Sequence, residues 1–447
     1  VTTNVESRPA LRRADLHSAL EDPALLSMNF LNEVANRFPD AISFAPGRPY
    51  EESFDTEALH RYLHAFCNYL EKERGQDPAQ VRRTLFQYGR TKGIVHDLIA
   101  RHLHVDEGIE VDPESVVVTV GCQEALFLVL RALRRDERDT VLAVSPTYVG
   151  LTGAARLLDM TVCPVRDSEV GVDLDDLVVQ IRAARAAGLN PRACYLVPDF
   201  ANPSGVTLSI EARRTLLRIA AEEQLLLLED NPYGFFRASG ERVPTLKALD
   251  TERRVVYLGS LAKTCFPGAR VGFAVADQLV AHDDGSTSLF ADELSKIKSM
   301  LTVNTAPISQ AMVGGKLLEH HGSLLRANWM EIEVYRRNLT HLLEGLEKRF
   351  HSAPDLGWNT PSGGFFVVVT VPFRVDDTLL EHSARRHGVL WTPMSHFYDG
   401  AGGENQLRLS CSVLTPEQID DGLDRLANLV DEQRWCVGVD QEGEQDG

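Results

Sequence analysis

The chain has 447 residues, 44% hydrophobic and 25% charged, the balance of a folded globular enzyme long enough for one large α/β unit with a smaller appendage and unlike that of a disordered or fibrous chain. Asp and Glu outnumber Lys and Arg by 64 to 46, and a formal charge of −18 repels nucleic acid phosphates and anionic lipid heads while leaving room for a local basic pocket. No apolar run reaches the roughly 20 residues that span a bilayer, VTTNVESRPALRRADLH has no signal-peptide core, and seven cysteines without a CxxC pair read as reduced thiols, so a cytoplasmic protein is expected.

Six short apolar runs follow in chain order: SVVVTV near residue 115, TVLAVS near 140, ACYLVP near 193, LLLLE near 225, RVVYLG near 254 and RVGFAVA near 270. Amphipathic stretches separate most of them. Strands that are apolar throughout are covered on both faces, which predicts an α/β fold with a mostly parallel sheet flanked by helices and ligands bound beyond the strand C-termini. After about residue 290 the pattern changes to LLRANWMEIEVYRRNLTHLLEGLEKRF, a strand pair GGFFVVVTV and NQLRLSCS, and a closing helix TPEQIDDGLDRLANLVDEQ, a smaller α+β unit. We expect an N-terminal arm with part of the small domain over 1–65, a large domain over 66–325, a C-terminal small domain over 326–435, and an acidic tail over 436–447 too polar to pack and therefore frayed.

Conspicuous polar residues sit directly after the strands. Gly121-Cys122-Gln123-Glu124 turns from strand to helix, where free N–H groups suit a phosphate, although a plain tight turn with Glu124 on the helix dipole reads equally well. Tyr148 after TVLAVS offers a flat face to an aromatic ligand or simply packs. Asp199-Phe200-Ala201-Asn202-Pro203-Ser204-Gly205 is ordinary turn chemistry that also fixes the Asn202 amide at the sheet edge. Asp230 ends a buried strand, where desolvation demands a partner, and a cationic ring nitrogen is a suitable one. Ser260-Leu261-Ala262-Lys263 leads through a Pro-Gly turn to Arg270; with only eight lysines in the chain each can be weighed singly, and most lysines are solvated, but a desolvated one forms Schiff bases. His320-His321 reads as a solvated helix end, and no Gly-x-Gly-x-x-Gly, P-loop or His-Glu-x-x-His occurs.

In order, these five motifs resemble the fold-type I pyridoxal 5′-phosphate enzymes of the class I/II aminotransferase group, from about Met28 to about Leu429. The resemblance implies an aspartate-aminotransferase-like fold, with a seven-stranded sheet in the large domain. It implies that Lys263 holds the cofactor as a Schiff base and shuttles the substrate proton. Asp230 would hold the pyridine nitrogen protonated, with Asn202 and Tyr233 on the ring oxygen and Tyr148 stacked on the ring. Gly121, Cys122, Gln123, Ser260 and Arg270 would cup the phosphate, Arg408 in LRLSCS would grip the substrate carboxylate, and Gly47 in SFAPGRP would close over it. Against that role for Arg408 stands a structural strand salt bridge. Tyr88 in FQYGRTKG would reach the neighbouring subunit's phosphate, which implies a homodimer with composite sites. Ala262 and Cys122 depart from the pattern, where Ser, and Ser or Ala, are common. Arg48, Phe397 and Tyr398 are further candidates to face the substrate, and no metal is implied.

MNFLNEVANRFPDAISFAPGRPYEESFD, QYGRTKG and VPDFANPSG look closest to aminotransferase-like enzymes of actinomycete natural-product pathways, arylglycine transaminases among them. The first expectation is amino-group exchange between an α-amino acid and a 2-oxo acid. The alternative is β- or γ-elimination, replacement, cyclisation or carbon–carbon bond formation on, for example, S-adenosylmethionine or an arginine-derived substrate. A third class, regulators that join this fold to a winged helix-turn-helix, is disfavoured by the negative charge and the short stretch before the resemblance.

Overall fold

All six apolar runs are strands of one seven-stranded sheet. In the computed structural model, which describes residues 11–445 except 24, 26, 28–32, 34–35 and 169–170, with side chains as far as 435, they are β1 (Val116–Val120), β2 (Asp139–Ser145), β4 (Asn190–Leu196), β5 (Leu226–Asp230), β6 (Val255–Ser260) and β7 (Val271–Val275). Met28, most of MNFLNEVAN and the side chain of Cys436 lie outside the described residues. The seventh strand, β3 (Thr161–Arg166), is absent from the apolar runs for a physical reason. It carries Pro164 and alternates buried with exposed positions, as an edge strand with one open side does. The spatial order is β1-β7-β6-β5-β4-β2-β3; β7 runs antiparallel to both neighbours and the rest pair in parallel.

Helices alternate with the strands: α1 (Gly121–Leu133), α2 (Val149–Leu157), α3 (Leu174–Ala186) and α4 (Ile210–Glu222). Asp173 and Ser209 cap the last two by accepting from the N–H of Asp176 and Ala212. Period-two alternation sorts the strand side chains between two layers. Val141, Tyr195 and Leu228 pack with Leu126 and Leu151 of α1 and α2, whereas Leu142, Cys194 and Leu227 pack with Leu177 and Leu216 of α3 and α4. Leu228 is fully buried, and cutting it to Ala would cost about 2–5 kcal/mol.

The second sheet pairs β8 (Phe366–Thr370) with β9 (Gln406–Ser410) antiparallel, flanked by two short strands, Gly357–Trp358 and Thr392–Pro393. It packs on α5 (Trp329–Phe350) and α6 (Pro416–Gln445) through Leu342, Leu346, Leu423 and Leu426. The helical stretch before it breaks at Asn328, leaving Leu324–Ala327 as a separate turn. Ile42–Ser43 pairs in parallel with Val389–Leu390 and brings the loop at Gly47 beside this sheet. The acidic stretch differs from the frayed tail expected: α6 continues through it to Gln445, because a helix already nucleated over many turns adds one hydrogen bond for each residue it fixes. Among the described residues no helix is long and apolar enough to cross a membrane.

Candidate active site

The C-terminal ends of β1, β2, β4, β5 and β6 open on one cavity of about 280 Å³, closed from the other side by Phe366 and Arg408 of the second sheet and by the Gly47 loop. Of the thirteen residues expected from the sequence, only Tyr88 stays outside it, 84% exposed on the surface of the single chain. Arg48 and Phe397 also line the cavity, and Tyr398 does not.

One end is an anion cradle. α1 starts at Gly121 with φ +74, and a Cβ there would stand 2.5 Å from the Arg270 guanidinium, so only glycine lets the arginine reach the helix start. Val120 offers the first turn no side-chain cap, which leaves its N–H groups open. Arg270 itself sits in the left-handed region, φ 50, a conformation that costs about 1–3 kcal/mol and is kept where the surroundings impose it. A guanidinium facing a helix N-terminus is repulsive unless an anion lies between them, and no described carboxylate pairs with Arg270. Ser260 lines the same end, and its Oγ accepts from the Ala262 N–H at 3.4 Å; the Gln123 amide is spent on the Gly150 carbonyl at 2.7 Å, leaving only its backbone N–H for the cradle.

In the middle lies Asp230, 6% exposed. Its Oδ2 accepts from the Tyr195 hydroxyl at 2.7 Å and its Oδ1 from the Cys122 thiol at 3.5 Å. Burial pushes the carboxyl up to about 6 against the pull of those two donors. Tyr195 was missed by sequence reasoning because ACYLVP reads as uniform core. Lys263 Nζ donates to the Gly47 carbonyl at 2.6 Å, and burial, then the Arg48, Arg270 and Arg408 charges, bring it down to about 8. Three of the buried lysines are paired with acids, Lys298 with Glu124, Lys247 with Asp277 and Lys92 with Asp292, while Lys316 is held by the Thr264 carbonyl and Asn328 Oδ1. Glu124 is therefore half of a buried ion pair as well as a helix-start acid.

At the far wall Arg408, 4% exposed, donates to Asn202 Oδ1, to the Ala45 carbonyl at 2.8 Å and to Thr392 Oγ1 at 3.3 Å. Its guanidinium lies over the rings of Phe366 at 4.3 Å and Phe397 at 4.8 Å. Burial lowers it to about 10, its Nε has no acceptor, and all its described partners are neutral, so the strand salt bridge is not what holds it. With Asn202 Oδ1 taken by Arg408, the amide's N–H groups are left for another acceptor, and Asn202 also bonds the Tyr233 hydroxyl, whose own acidity burial suppresses. Gly47 has to be glycine because a Cβ would come within 2.5 Å of the Phe366 ring.

The donor set fits pyridoxal 5′-phosphate: an empty-handed helix start and arginine for the phosphate, a buried carboxylate without a cation for the ring nitrogen, and a half-buried, cavity-lining lysine without an acid for the aldehyde. Fold and site together define a fold-type I pyridoxal-phosphate enzyme. The family model of class I and II aminotransferases matches residues 65–426, and the chain belongs to that family. It is 57% identical, over 94% of its length and 95% of the relative's, to the (S)-3,5-dihydroxyphenylglycine transaminase of Amycolatopsis orientalis. Among solved structures it resembles the Pyrococcus horikoshii kynurenine aminotransferase in complex with PMP, at TM-score 0.76 and 28% identity over 90% of this chain and 94% of that one. The fold also matches Thermus thermophilus aspartate aminotransferase with maleate, at TM-score 0.72 and 23% identity, covering 94% and 100%. The protein is a pyridoxal-phosphate-dependent aminotransferase acting on an amino acid.

Proposed function

We propose that this enzyme is an arylglycine transaminase of specialised metabolism, exchanging the amino group between a hydroxylated phenylglycine and a 2-oxo acid. The observation that carries the reading is the 57% identity to a dihydroxyphenylglycine transaminase over nearly the whole chain. It is supported by an aromatic wall, Phe366 and Phe397, beside a guanidinium with no acidic partner among the described residues.

Bound pyridoxal phosphate supplies an aldehyde that takes up the amino group and a protonated ring that draws off the electron pair released at Cα. The chain's residues do the rest. Gly121, Cys122 and Gln123 would offer backbone N–H groups, and Ser260 and Arg270 side chains, to the phosphate. Asp230 would hold the proton on the ring nitrogen, Tyr148 would pack against the ring, and Asn202 and Tyr233 would donate to the ring oxygen. Arg408 takes the substrate α-carboxylate in a planar fork with Gly47 above it, which fixes the direction of the Cα–H bond. Lys263, with Nζ brought down to about 8, is substantially neutral near that pH and can accept the Cα proton and return it one carbon away.

The enzyme works as a homodimer in the cytoplasm. Tyr88 and Phe86, 84% and 75% exposed, are surface a second copy would cover, Tyr88 reaching that copy's phosphate cradle. The six described cysteines are free, as reduced thiols are. Sedimentation is expected to show a dimer, and a fully active monomer would remove the composite site.

The experiment for substrate is a spectral titration of holoenzyme, without acceptor, against arylglycines, glutamate, arginine and S-adenosylmethionine. Arylglycines are expected to convert the cofactor to its amine form with one equivalent of 2-oxo acid. Conversion by other amino acids but not by arylglycines would overturn the assignment, and mass spectrometry of the products reads out elimination or cyclisation directly.

A further inference from the structure

We propose that Tyr195 and Cys122 are positioning residues, two neutral donors that keep the Asp230 carboxylate ionised and fixed so that it can hold a protonated ring nitrogen. The inference rests on the role proposed above for Asp230 and adds the groups through which that role is exercised.

Strand register puts Tyr195 there. On β4 it pairs with Leu228 of β5, two residues before Asp230, so both side chains leave the same face of the sheet on adjacent strands. Its hydroxyl reaches Oδ2 at 2.7 Å although the residue is only 1% exposed, in a layer whose other buried members are Val, Leu, Ala, Met160 and Phe290. Cys122, at the start of α1, approaches Oδ1 from the other side at 3.5 Å. A carboxylate has about four lone-pair positions, so one donor on each oxygen fixes its rotation and leaves acceptor capacity on both oxygens.

The groups that face Asp230 are Tyr195 from β4, Cys122 from α1, Tyr148 from the loop before α2 and Tyr233 from the turn after β5. None is cationic. Burial suppresses the acidity of Tyr195 and of Cys122, so each keeps its proton and stays a donor. Without them a buried carboxylate lacking a cation would drift toward its neutral form, which cannot hold a proton on the ring. The thiol at 122, a departure from the family's usual Ser or Ala, thus has a use: a small, weak donor that fits beside the phosphate cradle.

The test uses apoenzymes of wild type, Tyr195→Phe, Cys122→Ala and Cys122→Ser, with matched circular dichroism, titrated with pyridoxal phosphate across pH 6–9. Tyr195→Phe is expected to weaken cofactor binding about tenfold or more, because the lost bond was charge-assisted, and to move the acidic limb of the binding profile to higher pH. Cys122→Ala is expected to weaken it about two- to fivefold, with Cys122→Ser binding more tightly than Cys122→Ala. In turnover the Tyr195→Phe loss should appear in kcat, with KM for the amino acid within about twofold of wild type. Wild-type affinity and an unshifted profile in Tyr195→Phe would overturn the proposal for Tyr195. Equal binding by the Ala and Ser variants would overturn it for Cys122, even if Tyr195→Phe did not fold. Asp230→Asn is the control: full affinity and turnover in that variant would mean the reading of Asp230 itself had failed.

Discussion

Asp230 and Arg408 are opposite charges buried in the walls of one cavity, each without a counter-ion among the described residues, and the chain keeps them in different ways. The anion stands at a strand end of the large sheet and is held by two hydrogen-bond donors, Tyr195 and Cys122. The cation projects from the second sheet and is held by neutral acceptors, Asn202, the Ala45 carbonyl and Thr392, between two aromatic faces, with Nε left over. Burial pulls each toward neutrality, the acid up to about 6 and the guanidinium down to about 10. Both are sites with charge kept in reserve, one suited to a cationic ring N–H and the other to an anionic carboxylate. The half proposed for the cofactor is built from the frame of the large sheet, the half proposed for the substrate from side chains of the second sheet and a loop.

Lys263 stands between these halves, so its loss should have the largest effect. Lys263→Ala is expected to lower turnover about a thousandfold or more while pyridoxal phosphate still binds through the cradle and Asp230. Absorbance of the bound cofactor should then lack the signature of a Schiff base to protein. An unchanged spectrum would place that bond on another lysine.

For the anionic half, the carboxyl of Asp230 lies at about 6 in the folded chain against about 3.9 unfolded. The folded apoenzyme therefore binds that proton more tightly, and stability falls as pH rises from about 4 to about 6, leaving a deficit of about 3 kcal/mol at pH 8. Asp230→Asn should remove it: the apo variant is expected to be the more stable in urea unfolding at pH 8, with the difference gone near pH 4. A less stable apo variant at pH 8 would mean that the carboxylate already has a cation.

Arg408→Lys sharpens the other side. An ammonium cannot reproduce a planar fork over two rings, so kcat/KM for the amino acid should fall about thirtyfold, ~2 kcal/mol, with cofactor affinity within about twofold of wild type. Equal losses in cofactor affinity would show that the two halves are not separable.

The difference between the halves also explains what was legible in the sequence. Gly121, Asn202, Asp230, Ser260 and Lys263 each stand at or just after the end of an apolar run, so their meeting at one sheet edge follows from the α/β pattern. Tyr195 and Phe366 lie inside apolar runs, and nothing local separates them from core; their use appears only when strand register brings Asp230, or the antiparallel pairing brings Arg408, alongside. β3 was hidden by Pro164 and one-sided burial. Tyr88 is a surface tyrosine of the single chain, and the role proposed for it needs a second copy.

The smallest effect tests how finely Arg408 is placed. Thr392 is fully buried and pairs with Arg408 across the short flanking strand, its hydroxyl accepting from Nη2 at 3.3 Å, the long end of a hydrogen bond. The Ala45 carbonyl already satisfies the same nitrogen at 2.8 Å, so Thr392→Val removes a second, weaker acceptor and leaves the β-branched shape in place. KM for the amino acid is expected to rise about two- to threefold with kcat unchanged, the pattern of an anchor slightly misaimed before binding. A fall in kcat instead would mean that Thr392 positions Arg408 for the Cα–H cleavage itself, and the substrate half would then be as tightly tied to chemistry as the carboxylate half.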